Sequence, residues 1–377
     1  MKKIRVAFIK FAGLSAGGTE KYLQTLATNL PKDEFEVDYY YTHAAPLLGN
    51  SWKHPVTDLE RKRYMEDNGI NLIYVTVGAR DDRYGPPHEW KDTDFWSLFD
   101  EKKYDIVQTG RAGYREFPFD RMNSVFVDSI HGCGATGIEK RDNIAATVLI
   151  SKTQAKEWLK NGGEAHKVRI ISPLVEMPEK KKSYLRQHNN ISPSTFVFGM
   201  HQGIRDDIFS PLPLEAYSLM ENDQTMFIML GGSLKYRAQA QHLKINNIKF
   251  LDFTGDVHKI HEFVAALDVF SHGRADGEVC SAAIIEALYH KKPVISHRAL
   301  NMGHLEQIAE CGFMSRTAAE YAHYMVTLLK NKPLYDILSE KAWEKYSRVY
   351  FLEANIEKYI KLYRGIVHGA ALPAVCY

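Results

Sequence analysis

Short runs of β-branched and aromatic residues alternate with helical patterns along the first half of the chain. The first run, Val6–Lys10, is followed by a segment at Thr19–Leu30 in which Tyr22, Leu23 and Leu26 fall on one helical stripe. Strands joined by helices in this order build parallel sheets from βαβ units. Further strands are predicted at Val37–Tyr41, Leu72–Val75, Ile106–Gln108, Val125–Asp128, Val148–Ile150 and Val168–Ile171, and further helices at Leu59–Asn68, Phe95–Lys103 and Thr153–Asn161.

The pattern lapses between Pro173 and Ser194, where proline, lysine and polar residues indicate a linker. Beyond it the alternation resumes, so we predict an α/β protein with two Rossmann-like domains, residues 1–172 and 173–352, that face each other across a cleft. We expect the closing helix, at about 353–377, to pack back on the first domain. The second half has predicted strands at Phe196–Met200, Met226–Leu230, Ile248–Phe253, Val269–Ser271 and Pro293–Ser296, and predicted helices at Leu212–Met220, Val257–Leu267, Ser281–Tyr289 and Glu353–Val367.

Composition narrows the class of protein. The chain has 377 residues, 45% of them hydrophobic and 25% charged, which is typical of globular domains with full cores. A formal net charge of +2 gives no field that would attract nucleic acid. The N-terminus lacks a signal-peptide pattern, and no stretch approaches the ~20 apolar residues that cross a bilayer. We expect a soluble cytoplasmic protein, with contact to a membrane surface left open. The four scattered cysteines, Cys133, Cys280, Cys311 and Cys376, fit a reduced compartment.

Two glutamates follow the strand that ends at Ser271. Glu278 lies in a glycine-containing loop, and Glu286 lies inside the predicted helix, with seven residues between them. The backbone N–H groups where this helix begins form a natural cradle for a diphosphate. A nucleotide sugar has hydroxyls on both sides of its diphosphate, and ionised carboxylates accept hydrogen bonds from hydroxyls. The predicted cradle runs roughly from Cys280 to Ala283, and Val279, Cys280 and Ser281 are predicted to bind the donor.

A plainer interpretation has Glu286 as an exposed helix residue and Glu278 as an acid that complements the helix dipole. The neighbours of Glu286 oppose it, because Ile284, Ile285 and Leu288 make the helix strongly apolar. An unpartnered carboxylate in such a helix would be costly.

The segment from Val257 to Glu306 resembles the donor-binding half of the retaining family 4 glycosyltransferases (glycosyl transferases group 1), which have the GT-B fold. The resemblance implies a donor site that binds a UDP-, GDP- or ADP-sugar, retention of anomeric configuration, and no metal or other cofactor. The matching residues are Glu278, Glu286, Ala287-Leu288, Lys292-Pro293-Val294-Ile295 and, upstream, Phe253-Thr254-Gly255 and Asp268-Val269-Phe270.

The loop after the first strand contains Gly17-Gly18, where backbone can approach a ligand and a helix start favours anions. A simple turn capped by Thr19 is the alternative. The family resemblance favours a ligand-binding loop. It also implies that His131 contacts the donor sugar and that Arg205 grips the diphosphate.

Gly231 and Gly255 each follow a strand of the second domain. Such loops commonly wall the base and ribose pocket in this family, although a turn would also explain them. Glu306 is similar to a family position as well.

The sequence departs from the family pattern at two places. The family usually has a lysine five or six residues after the arginine, where this chain has Ser210 and Pro211. It also tends to have Phe-Gly where this chain has Cys280-Ser281. Three other bases are candidates to assist Arg205, namely Lys235, Arg237 and Arg274.

Two other motifs have plain explanations beside tempting ones. Asp92-Thr93-Asp94 has the form of a metal-binding Asp-x-Asp, but it directly precedes Phe95-Trp96, so capping of that helix explains it better. The aromatic loop Tyr84–Trp90 suits stacking on an acceptor sugar or local packing.

The sequence thus predicts transfer of a sugar to an acceptor hydroxyl on a glycan, a lipid-linked molecule or a small molecule. Glu278, Arg205 and His131 are the predicted catalytic residues. No obvious covalent nucleophile is present, which favours front-face displacement. A catalytically silent sugar-nucleotide-binding or assembly protein and a sugar-nucleotide epimerase are the alternatives, because the GT-B fold also hosts other functions.

Overall fold

The computed structural model describes residues 2–11, 14–15, 17–42, 59–76, 93–111, 113, 117–132, 137–181 and 183–369. Contacts divide the chain into two units. Unit 1 comprises Met1–Val175 and Leu352–Tyr377, and unit 2 comprises Glu176–Phe351.

Unit 1 contains a seven-stranded parallel sheet with the order β3-β2-β1-β4-β5-β6-β7. Its inner strands are buried on both faces and show no alternation of buried and exposed positions, although β4 and β5 also bury polar side chains such as Gln108 and Asp128. The predicted parallel α/β architecture is confirmed. The strands are β1 (Ile4–Ile9), β2 (Phe35–Tyr41), β3 (Asn71–Tyr74), β4 (Ile106–Arg111), β5 (Phe126–Ile130), β6 (Ile144–Leu149) and β7 (Val168–Ile170), and the helices are α1 (Gly18–Asn29), α2 (Leu59–Asp67), α3 (Phe95–Leu98) and α4 (Lys152–Lys160).

The helix predicted at Phe95–Lys103 is wrong in its second half. Helix α3 ends at Leu98, and a separate 3₁₀ turn follows at Glu101–Lys103. Asp100 separates the two, because its side chain accepts a hydrogen bond from the backbone N–H of Lys102 at 3.0 Å and starts the new turn.

Unit 2 contains a six-stranded parallel sheet with the order β10-β9-β8-β11-β13-β15 and a separate two-stranded pair, β12 and β14. In both large sheets the first strand lies near the centre, and the order in which strands are added reverses beside it, as in Rossmann-like sheets. The strands are β8 (Phe196–Gln202), β9 (Thr225–Gly231), β10 (Ile248–Leu251), β11 (Val269–Ser271), β12 (Gly277–Glu278), β13 (Val294–His297), β14 (Asn301–Met302) and β15 (Gly312–Ser315). The helices are α5 (Leu185–His188), α6 (Leu212–Ser218), α7 (Leu234–His242), α8 (Val257–Ala266), α9 (Ala282–Tyr289), α10 (Gly303–Ile308), α11 (Ala318–Lys330) and α12 (Lys332–Lys345).

The predicted linker is shorter than its composition indicates. Ser183 Oγ donates to the carbonyl of Glu262 in α8 at 2.9 Å, and Arg186 Nη2 lies 2.7 Å from Asp268 Oδ2. From Ser183 onward the polar stretch is therefore part of the surface of unit 2. The linker interpretation failed there because the partners of these side chains lie about 80 residues further along the chain.

The final helix, α13 (Leu352–His368), packs on unit 1. The Tyr359 hydroxyl lies 2.6 Å from the Tyr22 hydroxyl and 2.8 Å from Ser129 Oγ, and Tyr363 donates to Gln108 Oε1 at 2.7 Å. These hydroxyls are buried, so the helix contributes both apolar packing and satisfied hydrogen bonds to the core of unit 1. Within the described residues, no helix is long and apolar enough to cross a membrane.

Replacing Tyr359 with phenylalanine is expected to lower the free energy of unfolding by about 1 to 2 kcal/mol, since two buried hydroxyls lose a shared partner. Urea unfolding followed by tryptophan fluorescence measures this change. Adding Tyr22→Phe to that variant is expected to cost less than Tyr22→Phe alone, because the hydrogen bond between the two residues is already lost. Fully additive effects would contradict the contact.

Candidate functional site

The candidate site of unit 2 lies at the topological switch point of its sheet, where the strand order reverses between β8 and β11. In open parallel sheets ligands bind beyond the carboxyl ends of the strands at this point. His201 and Gln202 end β8, and His272 directly follows β11. Gln202 Nε2 donates to the carbonyl of Gly273 at 2.8 Å, so the loops that follow the two strands are joined.

Glu278 is positioned by a backbone pairing that the sequence analysis missed. Strand β12 pairs in parallel with β14, and two glycines permit the close approach. Gly277 has a φ of +70°, and a Cβ there would lie 2.0 Å from the carbonyl oxygen of Asn301. A Cβ on Gly303 would lie 1.8 Å from the carbonyl oxygen of Val279. Glu278 therefore sits on a short, sterically fixed ladder and not on a free loop.

Glu278 faces two cationic or donating groups. His272 Nε2 lies 3.4 Å and Arg274 Nη1 3.6 Å from its Oε1, and 19% of its side chain is exposed. Burial opposes ionisation, but the hydrogen bond from His272 and the charge of Arg274 hold the pKa of Glu278 below its usual value. The carboxylate is therefore ionised at neutral pH and can accept hydrogen bonds.

Glu286 is buried, with 7% of its surface exposed. Its Oε2 lies 2.7 Å from His201 Nε2, and the His201 ring contacts Phe270 edge-on at a centroid distance of 5.6 Å. The interpretation of Glu286 as an exposed helix residue is therefore wrong. His201 and His272 were not singled out from the sequence, although each follows or ends a strand at the switch point.

The start of α9 differs from the predicted cradle. The backbone N–H of Ser281 donates to Gln307 Oε1 at 2.6 Å, and its carbonyl accepts from Gln307 Nε2 at 2.9 Å. Ser281 therefore does not offer its N–H to a phosphate, and of the three residues predicted to bind the donor here Val279 and Cys280 remain. Burial, together with Glu306 and Glu278, raises the pKa of the Cys280 thiol, so this side chain is neutral.

Arg205 does not contact the carboxylate pair. Its guanidinium forms a fork with the carboxylate of Asp207, with Nε 2.9 Å from Oδ1, and about half of each side chain is exposed. The predicted phosphate-binding arginine is therefore already neutralised by a residue two positions away. The backbone N–H of Ala275 donates to the carbonyl of Ile208 at 3.2 Å, which places this loop beside Arg274.

Arg274 is the candidate base that lies beside Glu278. Lys235 lies 5.9 Å from the centroid of the Phe209 ring, and Arg237 covers the ring of Phe250 at 4.7 Å. Ser210, at the position of the family lysine, is buried and lies 2.9 Å from His297 Nε2. The ring of His297 fills this position from the interior, so Ser210 does not take over the role of the lysine.

Two predicted glycines of the donor pocket have different environments. Gly231 has a φ of +72°, and a Cβ there would lie 2.6 Å from the carbonyl oxygen of Gln202, so the turn requires glycine. Gly255 is exposed and precedes Asp256, whose Oδ1 accepts from the N–H of His258 at 2.9 Å and caps α8.

Unit 1 brings Gly17, Gly18 and His131 to the carboxyl ends of its strands. A Cβ on Gly17 would lie 2.1 Å from Glu20 Oε2, whereas Gly18 has open space around it. Glu20 is buried and lies 3.5 Å from Lys10 Nζ, so a carboxylate and an ammonium already occupy the loop. Thr19 does not cap α1, because Gly17 holds that position.

His131 follows β5 and packs edge-on against Tyr22 at a centroid distance of 4.5 Å. Burial and the nearby charge of Lys10 lower the pKa of His131 to about 3. The imidazole is therefore neutral at pH 7 and can offer one donor and one acceptor to a hydroxyl.

The predicted cap before Phe95 is correct in kind but uses another residue. Asp94 makes no side-chain cap, since its Oδ1 accepts from the N–H of Thr76 at 2.8 Å. Thr93 Oγ1 instead accepts from the N–H of Phe95 at 3.1 Å. Asp92 and the aromatic loop Tyr84–Trp90 lie outside the described residues. In the part of the chain that is described, no group of three or more His, Cys, Asp or Glu side chains is arranged to hold a metal ion.

Residues 212–345 match the sequence profile of the family Glycosyl transferases group 1. A comparison with curated protein sequences finds no match. Among solved structures, Alr3699/HepE from Anabaena, determined with UDP and glucose and with UDP-glucose, is 16% identical with a TM-score of 0.69, over 95% of this chain and 98% of that one.

Two further structures are similar over nearly the whole chain. Sucrose-phosphate synthase from Thermosynechococcus elongatus is 15% identical with a TM-score of 0.71, over 97% of this chain and 100% of that one. WaaG, a glycosyltransferase involved in lipopolysaccharide biosynthesis, is 16% identical with a TM-score of 0.62, over 96% of this chain and 100% of that one. The two parallel α/β units thus have the GT-B fold, and residues 212–345 are similar in sequence to the glycosyl transferases group 1 family.

Proposed function

We propose that this protein transfers a sugar from a nucleotide diphosphate-sugar to an acceptor hydroxyl. The observation that carries the proposal is the carboxylate pair of unit 2, in which Glu278 is held ionised and Glu286 is buried beside His201. Fixed acceptors of this kind suit the hydroxyls at the two ends of a nucleotide sugar. The UDP-glucose complex of Alr3699/HepE supports the substrate class.

The neighbours of each glutamate suggest which end of the donor it takes. Glu286 lies against His201 at the end of β8, on the side of the sheet where Gly231 ends β9. We assign it to the ribose hydroxyls, because the family resemblance puts the base and ribose beside these loops. Glu278 lies on the opposite side, against β14, and is assigned to the transferred sugar.

The diphosphate between them is bound by Arg274, assisted by the N–H groups of Val279 and Cys280. The charge of Arg274 is secured by Asp276 and Glu278, which raise the pKa of its guanidinium against the effect of burial. Arg205 and Arg274 each form a fork with an aspartate two positions further along the chain, Asp207 and Asp276, so each contributes when a phosphate displaces that aspartate. A guanidinium that meets two phosphate oxygens would stabilise the charge that develops on the leaving group.

The proposed chemistry is front-face displacement with retention. The bond from the anomeric carbon to the acceptor oxygen forms on the face from which the phosphate leaves, and the departing phosphate oxygen takes the acceptor proton. The glutamates orient the donor and do not act as the acid–base pair of a glycosidase. His131 is neutral and is assigned as a hydrogen-bond partner for a sugar hydroxyl. No metal is required in this scheme.

A panel of UDP-, GDP- and ADP-sugars, followed by thermal shift and by release of free nucleotide, tests the proposal. Nucleotide release with a new glycoside supports transfer, the anomeric proton in NMR spectra reports retention, and unchanged rates in EDTA support metal independence. The absence of the family lysine, where this chain has Ser210 and Pro211, is the specific reason to consider a protein that binds the donor without turnover. Donor binding with no product on any acceptor would favour that alternative, and a changed donor sugar without nucleotide release would indicate an epimerase.

Replacing Arg274 with alanine is expected to lower kcat/KM for the donor about 100-fold, since a charge-assisted contact to phosphate is lost. Arg274→Lys should retain part of the activity. Arg348→Ala is the matched control, because Arg348 is an exposed arginine of unit 2 paired with Glu310. If Arg274→Ala were fully active and Arg205→Ala inactive, Arg205 and not Arg274 would be the residue that binds the diphosphate.

A further inference from the structure

Three side chains form a hydrogen-bonded chain that ends at Glu278. Ser296 Oγ lies 2.8 Å from His272 Nδ1, and His272 Nε2 lies 3.4 Å from Glu278 Oε1. The serine comes from β13, the histidine from the loop after β11, and the glutamate from β12. Three separate segments of unit 2 thus meet at one imidazole.

These three side chains resemble the Ser-His-acid triad of hydrolases, but the burial of Ser296 rules it out as a nucleophile. Ser296 has no exposed surface, and its own carbonyl accepts from Ser315 Oγ at 3.0 Å. A substrate has no access to that hydroxyl. Its remaining role is to fix the imidazole, because a hydroxyl that donates to Nδ1 leaves the ring proton on Nε2.

We propose that His272 is a positioning residue for Glu278 and, through it, for the transferred sugar. The Ser296 hydroxyl donates to Nδ1 and the Nε2–H donates to Glu278 Oε1. The contacts from His272 and Arg274 both fall on Oε1, which leaves Oε2 to accept a hydroxyl of the sugar. This inference rests on the proposed function, and it names residues that hold the sugar end of that site.

The groups around His272 do not supply the same interaction. The ring centroid of His304 in α10 lies 5.2 Å from that of His272. The Tyr321 hydroxyl from α11 donates to the backbone carbonyl of His272 at 3.2 Å. Burial lowers the pKa of His304 to about 4 and that of His297 below its usual value, so both are neutral near pH 7. Arg274 is the remaining charged neighbour, and its Nη1 lies 3.6 Å from Glu278 Oε1.

The experiment compares His272→Phe, which keeps an aromatic ring without a donor, with His272→Gln, whose amide N–H can replace Nε2–H. Affinity is measured for UDP-, GDP- and ADP-glucose and for UDP, GDP and ADP. His272→Phe is expected to weaken binding of the nucleotide sugar about 30-fold and that of the matching nucleotide less than threefold. His272→Gln is expected to stay within about fivefold of the wild-type protein.

The pH profile gives a readout that a purely structural role would not move. Loss of the hydrogen bond from His272 raises the pKa of Glu278, so the acidic limb of kcat/KM is expected to shift upward by about one pH unit in His272→Phe. His272→Gln is expected to keep the wild-type limb. Ser296→Ala, which frees the Nδ1 position without altering the ring, is expected to weaken sugar-nucleotide binding three- to tenfold.

Unchanged binding of the nucleotide sugar by His272→Phe or Ser296→Ala would overturn the inference. Equal losses for nucleotide and nucleotide sugar, with no rescue by His272→Gln, would also overturn it, because they indicate general damage to unit 2. A wild-type protein that binds none of the six probes would overturn the proposed function itself, and the inference with it.

Discussion

Replacing Glu286 with glutamine is expected to weaken binding of the nucleotide sugar, and of the nucleotide alone, by about 100-fold. A carboxylate can accept both hydroxyls of a vicinal diol, whereas glutamine offers one acceptor and one donor. Each hydrogen bond to a charged group contributes about 1.5 to 3 kcal/mol. The loss should appear in the nucleotide as well, because Glu286 is assigned to the ribose and not to the transferred sugar.

Isothermal titration calorimetry with UDP, GDP and ADP measures this loss directly. Glu340→Gln is the matched control, since Glu340 belongs to the same unit, has 62% of its side chain exposed and pairs with Lys291. The substitution of Glu286 preserves volume, so His201 keeps a polar neighbour and the fold should persist. Wild-type affinity in Glu286→Gln would remove the donor site from this part of the molecule.

Replacing Gly303 with alanine is expected to lower kcat/KM for transfer to below about one-hundredth of the wild-type value. It is also expected to lower the free energy of unfolding of unit 2 by about 1 to 3 kcal/mol. A methyl group at Gly303 would lie 1.8 Å from the carbonyl oxygen of Val279, so the backbone segments around Gly303 and Val279 must move apart. That separation moves Glu278, which is next in the chain to Val279 and depends on the β12–β14 pairing.

Donor affinity, kcat/KM and urea unfolding together measure the effect of Gly303→Ala. Leu305→Ala is a suitable control, because Leu305 is exposed and belongs to the same helix, α10. If Gly303→Ala retained full activity, the ladder would not be what positions Glu278.

Most of the sheet could be predicted from the sequence, because buried parallel strands are continuous apolar runs. Val269–Ser271 is a clear case, with an apolar run that ends directly before the polar loop of the site. The two-residue strands β12 and β14 carry no such signal, since they have no hydrophobic periodicity and their pairing is held by glycines. Only a three-dimensional structure shows that Asn301 approaches Gly277.

The carboxylates of the candidate site could be singled out from the apolar neighbours of Glu286 and the family resemblance, but their partners could not. His201 lies 85 residues before Glu286, and Ser296 lies 24 residues after His272. Such contacts depend on which strands become neighbours in the sheet. The pairing of Arg205 with Asp207 is the opposite case, because the two are separated by one residue and an acid so near in a loop is a foreseeable competitor for a phosphate.

The return of α13 to unit 1 has a consequence for how the polypeptide is made. The ribosome produces the whole of unit 2 before it reaches the tyrosines that fill the gap beside Tyr22 and Gln108. Unit 2 is one uninterrupted stretch and can mature as soon as it emerges, whereas the N-terminal half waits with an open apolar face until Leu352–His368 arrives. The domain that is begun first is thus completed last, and a nascent chain stalled before Leu352 would expose that face to chaperones.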